Sequence, residues 1–231
     1  MEERGKPGFR VREKIRRPDL KLMQELGKYP VPNIGDAMNK MGIMDAGMRP
    51  AYLPMERMMG PAVTVKAFPG DHLMIREAMS LVQVGDVLVI DGGRDCFKAV
   101  WGSFAADMIL RRGAAGLVID GATRDVAEIR KMGCKIFVRG ITPVAPTFAG
   151  PGEINHAVCC GGVVVNPGDI VVGDEEGVVV VPFDDLETVL ELLKGVSEKE
   201  ASWRVEVDQG KIVKADWVHE YVRSQGCSFV R

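Results

Sequence analysis

Apolar residues in the middle of this chain run continuously rather than alternating with polar ones. "GPAVTVKAFPGD" (60–71), "VGDVLVIDGG" (84–93) and "AAGLVIDG" (114–121) are short apolar runs bounded by glycine turns. "CKIFVRG" (134–140) and "GGVVVNPGDIVVGDEEGVVVVP" (161–182) follow in the same style. Continuous runs predict strands covered on both faces, as expected where helices or a second sheet lie on each side. One phrase occurs twice: "VGDVLVID" (84–91) matches "PGDIVVGD" (167–174). Two such turn-strand units predict related strands in a closed or sandwiched sheet.

Helical periodicity falls between these runs. "NIGDAMNKMG" (33–42) predicts a helix ending at Gly42, and "DHLMIREAMSLV" an amphipathic helix after Asp71. "SFAADMILRRG" has Ser103 as N-cap candidate and Gly113 past its last turn. "DVAEIRKMG" starts at Asp125 and stops at Gly133. Residues 183–211 predict one long helix or two. The sum is an α/β domain over 33–211, preceded by an arm and helix (1–32). A tail (212–231) carrying Trp217, Tyr221 and Phe229 is expected to dock on the domain or on a neighbouring subunit.

Composition narrows the function. At 231 residues, with 46% hydrophobic and 27% charged residues, the chain can bury a sizeable core. A formal net charge of −2 gives no global field for nucleic acid or anionic membranes, so neither is expected as a partner. The basic stretch "RGKPGFRVREKIRRPDLK" (4–21) is expected to be an exposed arm or first helix. The first residues lack an apolar stretch, so no leader is expected, and no apolar run approaches the roughly 20 residues of a membrane span. Five cysteines without a C-x-x-C pair indicate neither a disulfide framework nor a zinc site, and Cys159 and Cys160 are expected to be buried. The cytoplasm is the expected compartment. His72, His156 and His219 lack metal-ligand spacing. The methionines between 38 and 59 read as core or interface filler.

Two phrases carry candidate chemistry. In "VWGSFAADM", Gly102 precedes a helix start, leaving the N–H groups of Ser103, Phe104 and Ala105 without intrahelical acceptors. They are either a water-capped helix end or a site for carboxylate or phosphate. In "DGATRDVAE", Asp125 and Glu128 fit a capping box. Capping does not account for Arg124, whose guanidinium at the end of a buried strand could bind a carbonyl or carboxylate oxygen. A carboxylate beside it could hold Mg²⁺, largely through waters. Asp36 and Asp71 are further candidate carboxylates, each also placed where a helix start or turn favours Asp. There is no G-x-S-x-G elbow and no P-loop.

Assembled, the phrases "IGDAMNKMG", "GPAVTV", "PGDHLMIREAM", "GDVLVIDGG", "WGSFAADMILRRGAAGLVIDGATRD" and "VNPGDIVVGDEEGVVVVP" resemble the RraA-like family. That family includes 4-hydroxy-4-methyl-2-oxoglutarate aldolases that also decarboxylate oxaloacetate. The resemblance implies a compact α/β/β sandwich similar to swivelling phosphohistidine-type domains, assembled as a homotrimer or hexamer. It implies that the backbone of Gly102, Ser103, Phe104 and Ala105 binds the pyruvyl carboxylate of a small 2-oxo acid. Arg124 would face the keto or enolate oxygen, and Asp125 would bind a divalent metal, Mg²⁺ or Mn²⁺. The chain departs from the family pattern at Ser103, where an acidic residue is frequent, and at His72, where Asn is frequent. A glutamate from a neighbouring subunit would approach the metal, with Glu198 or Glu200 the matching candidates. The implied activity is a metal-dependent lyase. The alternatives are a regulator that binds ribonuclease E, a Schiff-base aldolase using Lys98, Lys131 or Lys135, and a methyltransferase, whose glycine-rich loop the chain lacks.

Overall fold

The continuous apolar runs become strands buried on both faces, as their pattern requires. The structure is a computed structural model describing residues 5–213 and 215–229. In chain order its elements are β1 (Phe9–Val11), α1 (Leu20–Leu26), α2 (Val31–Ala37), β2 (Arg49–Pro50), β3 (Met58–Ala67) and α3 (Leu73–Ala78). Then come β4 (Val87–Asp91), β5 (Ala99–Trp101), α4 (Ser103–Arg111), β6 (Gly116–Thr123), α5 (Val126–Lys131) and β7 (Ile136–Ile141). The chain continues through β8 (Gly152–Ile154), β9 (Val158–Cys160), β10 (Val163–Val165), β11 (Ile170–Asp174), β12 (Gly177–Val181), α6 (Leu186–Asp208) and α7 (Ala215–Ser224).

This is a mixed α/β fold built on a large sheet of order β1-β8-β3-β4-β6-β7-β2. Strands β3, β4, β6 and β7 are mutually parallel, so their C-terminal ends share one edge. Period-two alternation sorts the strand side chains into two cores. Leu88, Ile90, Leu117 and Ile119 pack with Ile75, Ile109 and Ile129 of the helices on one face. Val87, Val89 and Val118 pack on the other face against Val165, Val171 and Val180. Beyond the β11–β12 hairpin, Ile170, Val172 and Val179 meet Leu26, Ile34 and Leu193 of α1, α2 and α6.

The repeated Gly-Asp phrase has a physical cause. Asp86 Oδ2 accepts the Gln83 N–H at 2.8 Å, and Asp169 Oδ2 accepts the Asn166 N–H at 2.7 Å. Each buried aspartate closes its own turn, with a glycine at φ 87° (Gly85) or 93° (Gly168) just before it. The two launched strands, β4 and β11, both pair with β3, one parallel and the other antiparallel.

Local expectations are corrected at several points. The helix expected over 33–42 runs over Val31–Ala37. It starts early because Pro30 and Pro32 fit its first turn, and stops early because Asn39 and Lys40 turn left-handed at φ 52° and 67°. Cys159 is exposed on a two-stranded ribbon, and only Cys160 of the pair is buried. The basic stretch is strapped down: β1 pairs with β8, and Arg17 meets the buried Asp86 carboxylate at 2.7 Å. Residues 183–208 form a short 3-10 turn and then one helix, α6. Trp217 and Tyr221 stay more than half exposed, their rings tilted at 58° to each other with centres 6.2 Å apart. Among the described residues, no helix is long and apolar enough to cross a membrane.

Candidate functional site

The site lies where the parallel strands end. Short strand β5 pairs with the end of β6, and the Arg124 N–H donates to Trp101 O at 3.0 Å. This sets Gly102 beside Arg124 and Asp125. The backbone of Gly102 is extended, at φ −158°, so its conformation does not require glycine. Its surroundings do: a Cβ there would lie 2.8 Å from Asp125 Oδ2 and 3.3 Å from Arg124 Cγ and Nε.

Asp125 is the N-cap of α5, yet its side chain does not cap that helix, and the expected capping box does not form. The residue adopts a left-handed backbone, φ 57° and ψ 34°, a region aspartate tolerates better than most residues. Its carboxylate reaches the other helix instead. Asp125 Oδ2 accepts from both Ser103 N–H and Ser103 Oγ, each at 3.0 Å, and lies 3.7 Å from Arg124 Nε. Ser103 is thus the first helical residue of α4, with Gly102 as N-cap. One N–H of the expected anion site is already satisfied by Asp125. Intrahelical bonding begins at Ala106, which donates to Gly102 O at 3.0 Å. The N–H groups of Phe104 and Ala105 remain for a ligand, with the positive end of the helix behind them.

These groups open onto a cavity of about 170 Å³. Its walls are largely apolar, with Trp101, Phe104, Pro146 and Phe148 among them. His72 also lines it and is buried, with Nδ1 2.6 Å from Val100 O. A carbonyl only accepts, so Nδ1 carries the proton and Nε2 keeps its lone pair. Burial holds the His72 pKa below its ordinary value; the bond to Val100 opposes this, and the nearby Arg76 charge adds to it. The ring meets Trp101 and Phe148 edge-on, with centres 6.0 and 5.3 Å apart. Trp101 Nε1 is buried and finds no partner among the described residues.

The remaining candidates lie elsewhere. Asp71 is buried, and its carboxylate accepts the N–H groups of Leu73, Ala149 and Gly150 at 2.7–3.0 Å. Burial alone would raise its pKa, but the backbone donors of Ala149, Leu73 and Gly150, with Thr147, outweigh burial and hold it low. Asp71 therefore ties down the loop that carries Pro146 and Phe148. Asp36 is exposed on α2, Glu198 is exposed on α6, and Glu200 accepts from Asn33 Nδ2 at 2.6 Å. None of these three lines the cavity within this chain, nor does Lys98, Lys131 or Lys135. Sequence reasoning missed the cavity residues Arg76, Trp101, Pro146 and Phe148. Only Arg76 had a signal: it stands four residues after His72, on the same helix face.

Among the described residues, no group of three or more His, Cys, Asp or Glu side chains converges as a metal cage. Asp125 offers one oxygen to Ser103, while no hydrogen bond from the described residues reaches the other, Oδ1. A single hard oxygen at a cavity fits a cation that keeps most of its shell as water and substrate oxygens.

Fold and site together define a mixed α/β protein with a small, largely apolar cavity at the C-terminal ends of its parallel strands, bordered by the N-terminus of α4 and by Arg124 and Asp125. Comparison places it more closely: the RraA-like (Aldolase/RraA) family profile matches residues 31–180, and the chain belongs to that family. It is 36% identical over 176 residues to a protein of Halalkalibacterium halodurans named "Putative 4-hydroxy-4-methyl-2-oxoglutarate aldolase", covering 76% of this chain and 83% of that one. It is 34% identical over 192 residues to an uncharacterized protein of Methanocaldococcus jannaschii, covering 83% and 91%. Among solved structures it is similar to RraAS2 of Streptomyces coelicolor, described as an unusual member of the RNase ES inhibitor RraA protein family. That match has TM-score 0.75 and 27% identity, covering 83% of this chain and 99% of that one.

Proposed function

We propose that this chain is a lyase that cleaves the C–C bond next to a pyruvyl unit. The candidate reactions are retro-aldol cleavage of acids like 4-hydroxy-4-methyl-2-oxoglutarate and decarboxylation of oxaloacetate. The observation that carries this is the contact of Gly102 with Arg124 and Asp125. Three groups suited to an α-keto acid meet there, at a spacing only a glycine permits.

The Phe104 and Ala105 N–H groups hold the substrate carboxylate and fix the keto group before reaction. Arg124 faces the keto oxygen, where negative charge develops as the C–C bond breaks. Asp125 holds Mg²⁺ or Mn²⁺, which when bound supplies Lewis-acid polarisation of the keto group. Ser103 fixes the Asp125 carboxylate through its hydroxyl and N–H. In the retro-aldol direction the C4 hydroxyl loses its proton to water as the C3–C4 bond breaks. The bond electrons pass to the pyruvyl half as an enolate, and a proton taken at C3 completes pyruvate. Decarboxylation of oxaloacetate breaks C3–C4 to the same enolate and carbon dioxide, without a base. The enzyme would work in the cytoplasm as a homotrimer or hexamer, with Glu198 or Glu200 brought to the site from a neighbouring copy.

The test is pyruvate release from oxaloacetate and a panel of 4-hydroxy-2-oxo acids, after chelation and again with Mg²⁺ or Mn²⁺ added. Metal-restored release of pyruvate is expected, and no turnover of any substrate with metal sinks the proposal. The name of the Streptomyces relative favours a second reading, a regulator that binds ribonuclease E. Arg124→Ala separates the two, because a lyase loses activity while a regulator keeps its partner and has no lyase activity to lose.

A further inference from the structure

Helix α3 brings a second guanidinium to the cavity. Arg76 lies one turn after His72, its N–H donating to His72 O at 2.9 Å, and both residues line the cavity. Arg124 has the Asp125 carboxylate 3.7 Å away, whereas Arg76 forms no ion pair with the described residues. Its Nη1 makes only a 3.8 Å contact with Met108 Sδ. Arg111, at the end of α4, is paired with Asp107 at 2.9 Å. An unpaired surface arginine is ordinary where only water faces it. Arg76 instead edges a cavity whose other walls are mostly apolar and which the α4 N-terminus also borders.

Charge at the cavity points the same way. Arg76 and Arg124 contribute two positive charges, Asp125 one negative, and His72, with its proton on Nδ1, none. The substrate's own carboxylate is taken up by the α4 N–H groups. Apart from the weak Nη1 contact with Met108 Sδ, the fork of donors of the Arg76 guanidinium has no partner among the described residues, and such a fork binds a carboxylate through two parallel bonds.

We propose that Arg76 is the residue that seats the second carboxylate which both candidate substrates carry, and so sets the cavity's preference for 2-oxo dicarboxylates over 2-oxo monocarboxylates. This rests on the cavity being a 2-oxo acid site, as argued above. The carbon chain then spans from α4 to α3 along the Trp101 and Phe148 rings. On retro-aldol cleavage the pyruvyl half stays on α4, and the departing half keeps its carboxylate on Arg76.

The test uses two ligands of equal chain length that the lyase chemistry cannot consume, 2-oxoglutarate and 2-oxopentanoate. Their affinities for the full chain with Mg²⁺ are measured by calorimetry, for the unaltered protein, Arg76→Gln and Arg76→Lys. Arg76 is exposed, and matched thermal unfolding checks that the variants fold. The unaltered protein is expected to prefer 2-oxoglutarate by roughly tenfold or more, as charged hydrogen bonds typically give. Arg76→Gln should erase most of that preference, and Arg76→Lys should keep part of it. No preference in the unaltered protein, or a preference untouched by Arg76→Gln, overturns the proposal. If the preference behaves as expected but no hydroxy acid yields pyruvate, the lyase reading fails and the carboxylate seat stands. Binding of neither ligand overturns both.

Discussion

A single hydrogen atom at Gly102 decides whether the candidate site can form. Its extended backbone would accept alanine, so Gly102→Ala tests proximity and not conformation. The added methyl would push Arg124 and Asp125 aside by several tenths of an ångström. Lyase activity is expected to fall about a hundredfold, with the unfolding midpoint shifted only slightly; steady-state assays and thermal melts check both. Ser103 poses the complementary question. Its hydroxyl holds Asp125 but adds no charge. Ser103→Asp is therefore expected to raise aldol cleavage more than oxaloacetate decarboxylation, because only cleavage must remove a hydroxyl proton. Equal changes in both rates argue against it. At this scale the sequence pointed to Gly102, Ser103, Arg124 and Asp125, which the structure brings together, though not by the local bonding expected. Asp125 had the letters of a capping box, but a left-handed backbone turned its carboxylate to the neighbouring helix, and no local pattern encodes that.

Among elements, long buried strands were legible and short ones were not. Strands β4 and β6 announce themselves as unbroken apolar runs between glycine turns. The three residues of β5 show no periodicity, yet β5 is what sets Gly102 beside Arg124. Helix α2 was misplaced because proline and left-handed residues outweighed its apolar spacing. The loop over the cavity was invisible, since its anchor is the distant Asp71. Asp71→Ala would leave the Leu73, Ala149 and Gly150 N–H groups without their acceptor. It is expected to cost about 3 kcal/mol of stability, by the usual worth of bonds to a charged group, measurable by urea unfolding. The KM for substrate should rise as the loop loosens. An unchanged KM would show that the loop does not shape the cavity.

For the whole molecule, the layered α/β arrangement followed from the continuous apolar runs, whereas the way the ends of the chain close over it did not. The basic N-terminal stretch looked free because its partners, Glu153, Asp86 and Asp184, lie far along the chain. Global stability should carry the mark of the buried histidine. Burial holds His72 below its ordinary pKa of 6.5, and His156 is lowered in the same way. The unfolded chain therefore takes up protons first as pH falls. The stability these groups contribute is complete above pH 6.5 and declines below it. His72→Asn is expected to shrink the difference in unfolding free energy between about pH 7.5 and about pH 5.5, as chemical denaturation at the two values would show. An undiminished difference would assign the effect to His156 or to other groups.

The position of Trp101 gives the molecule its own optical probe. Of the chain's three tryptophans, Trp101 alone is buried, and it forms part of the cavity wall against the His72 ring. Trp203 and Trp217 lie on α6 and α7, away from the cavity. With those two replaced by phenylalanine, the remaining emission comes from a single indole at the site. Ligand entry displaces water near that indole, and protonation of His72 places a charge beside it. Its colour and intensity should therefore follow occupancy and protonation separately, so that binding can be watched by fluorescence before any product is sought.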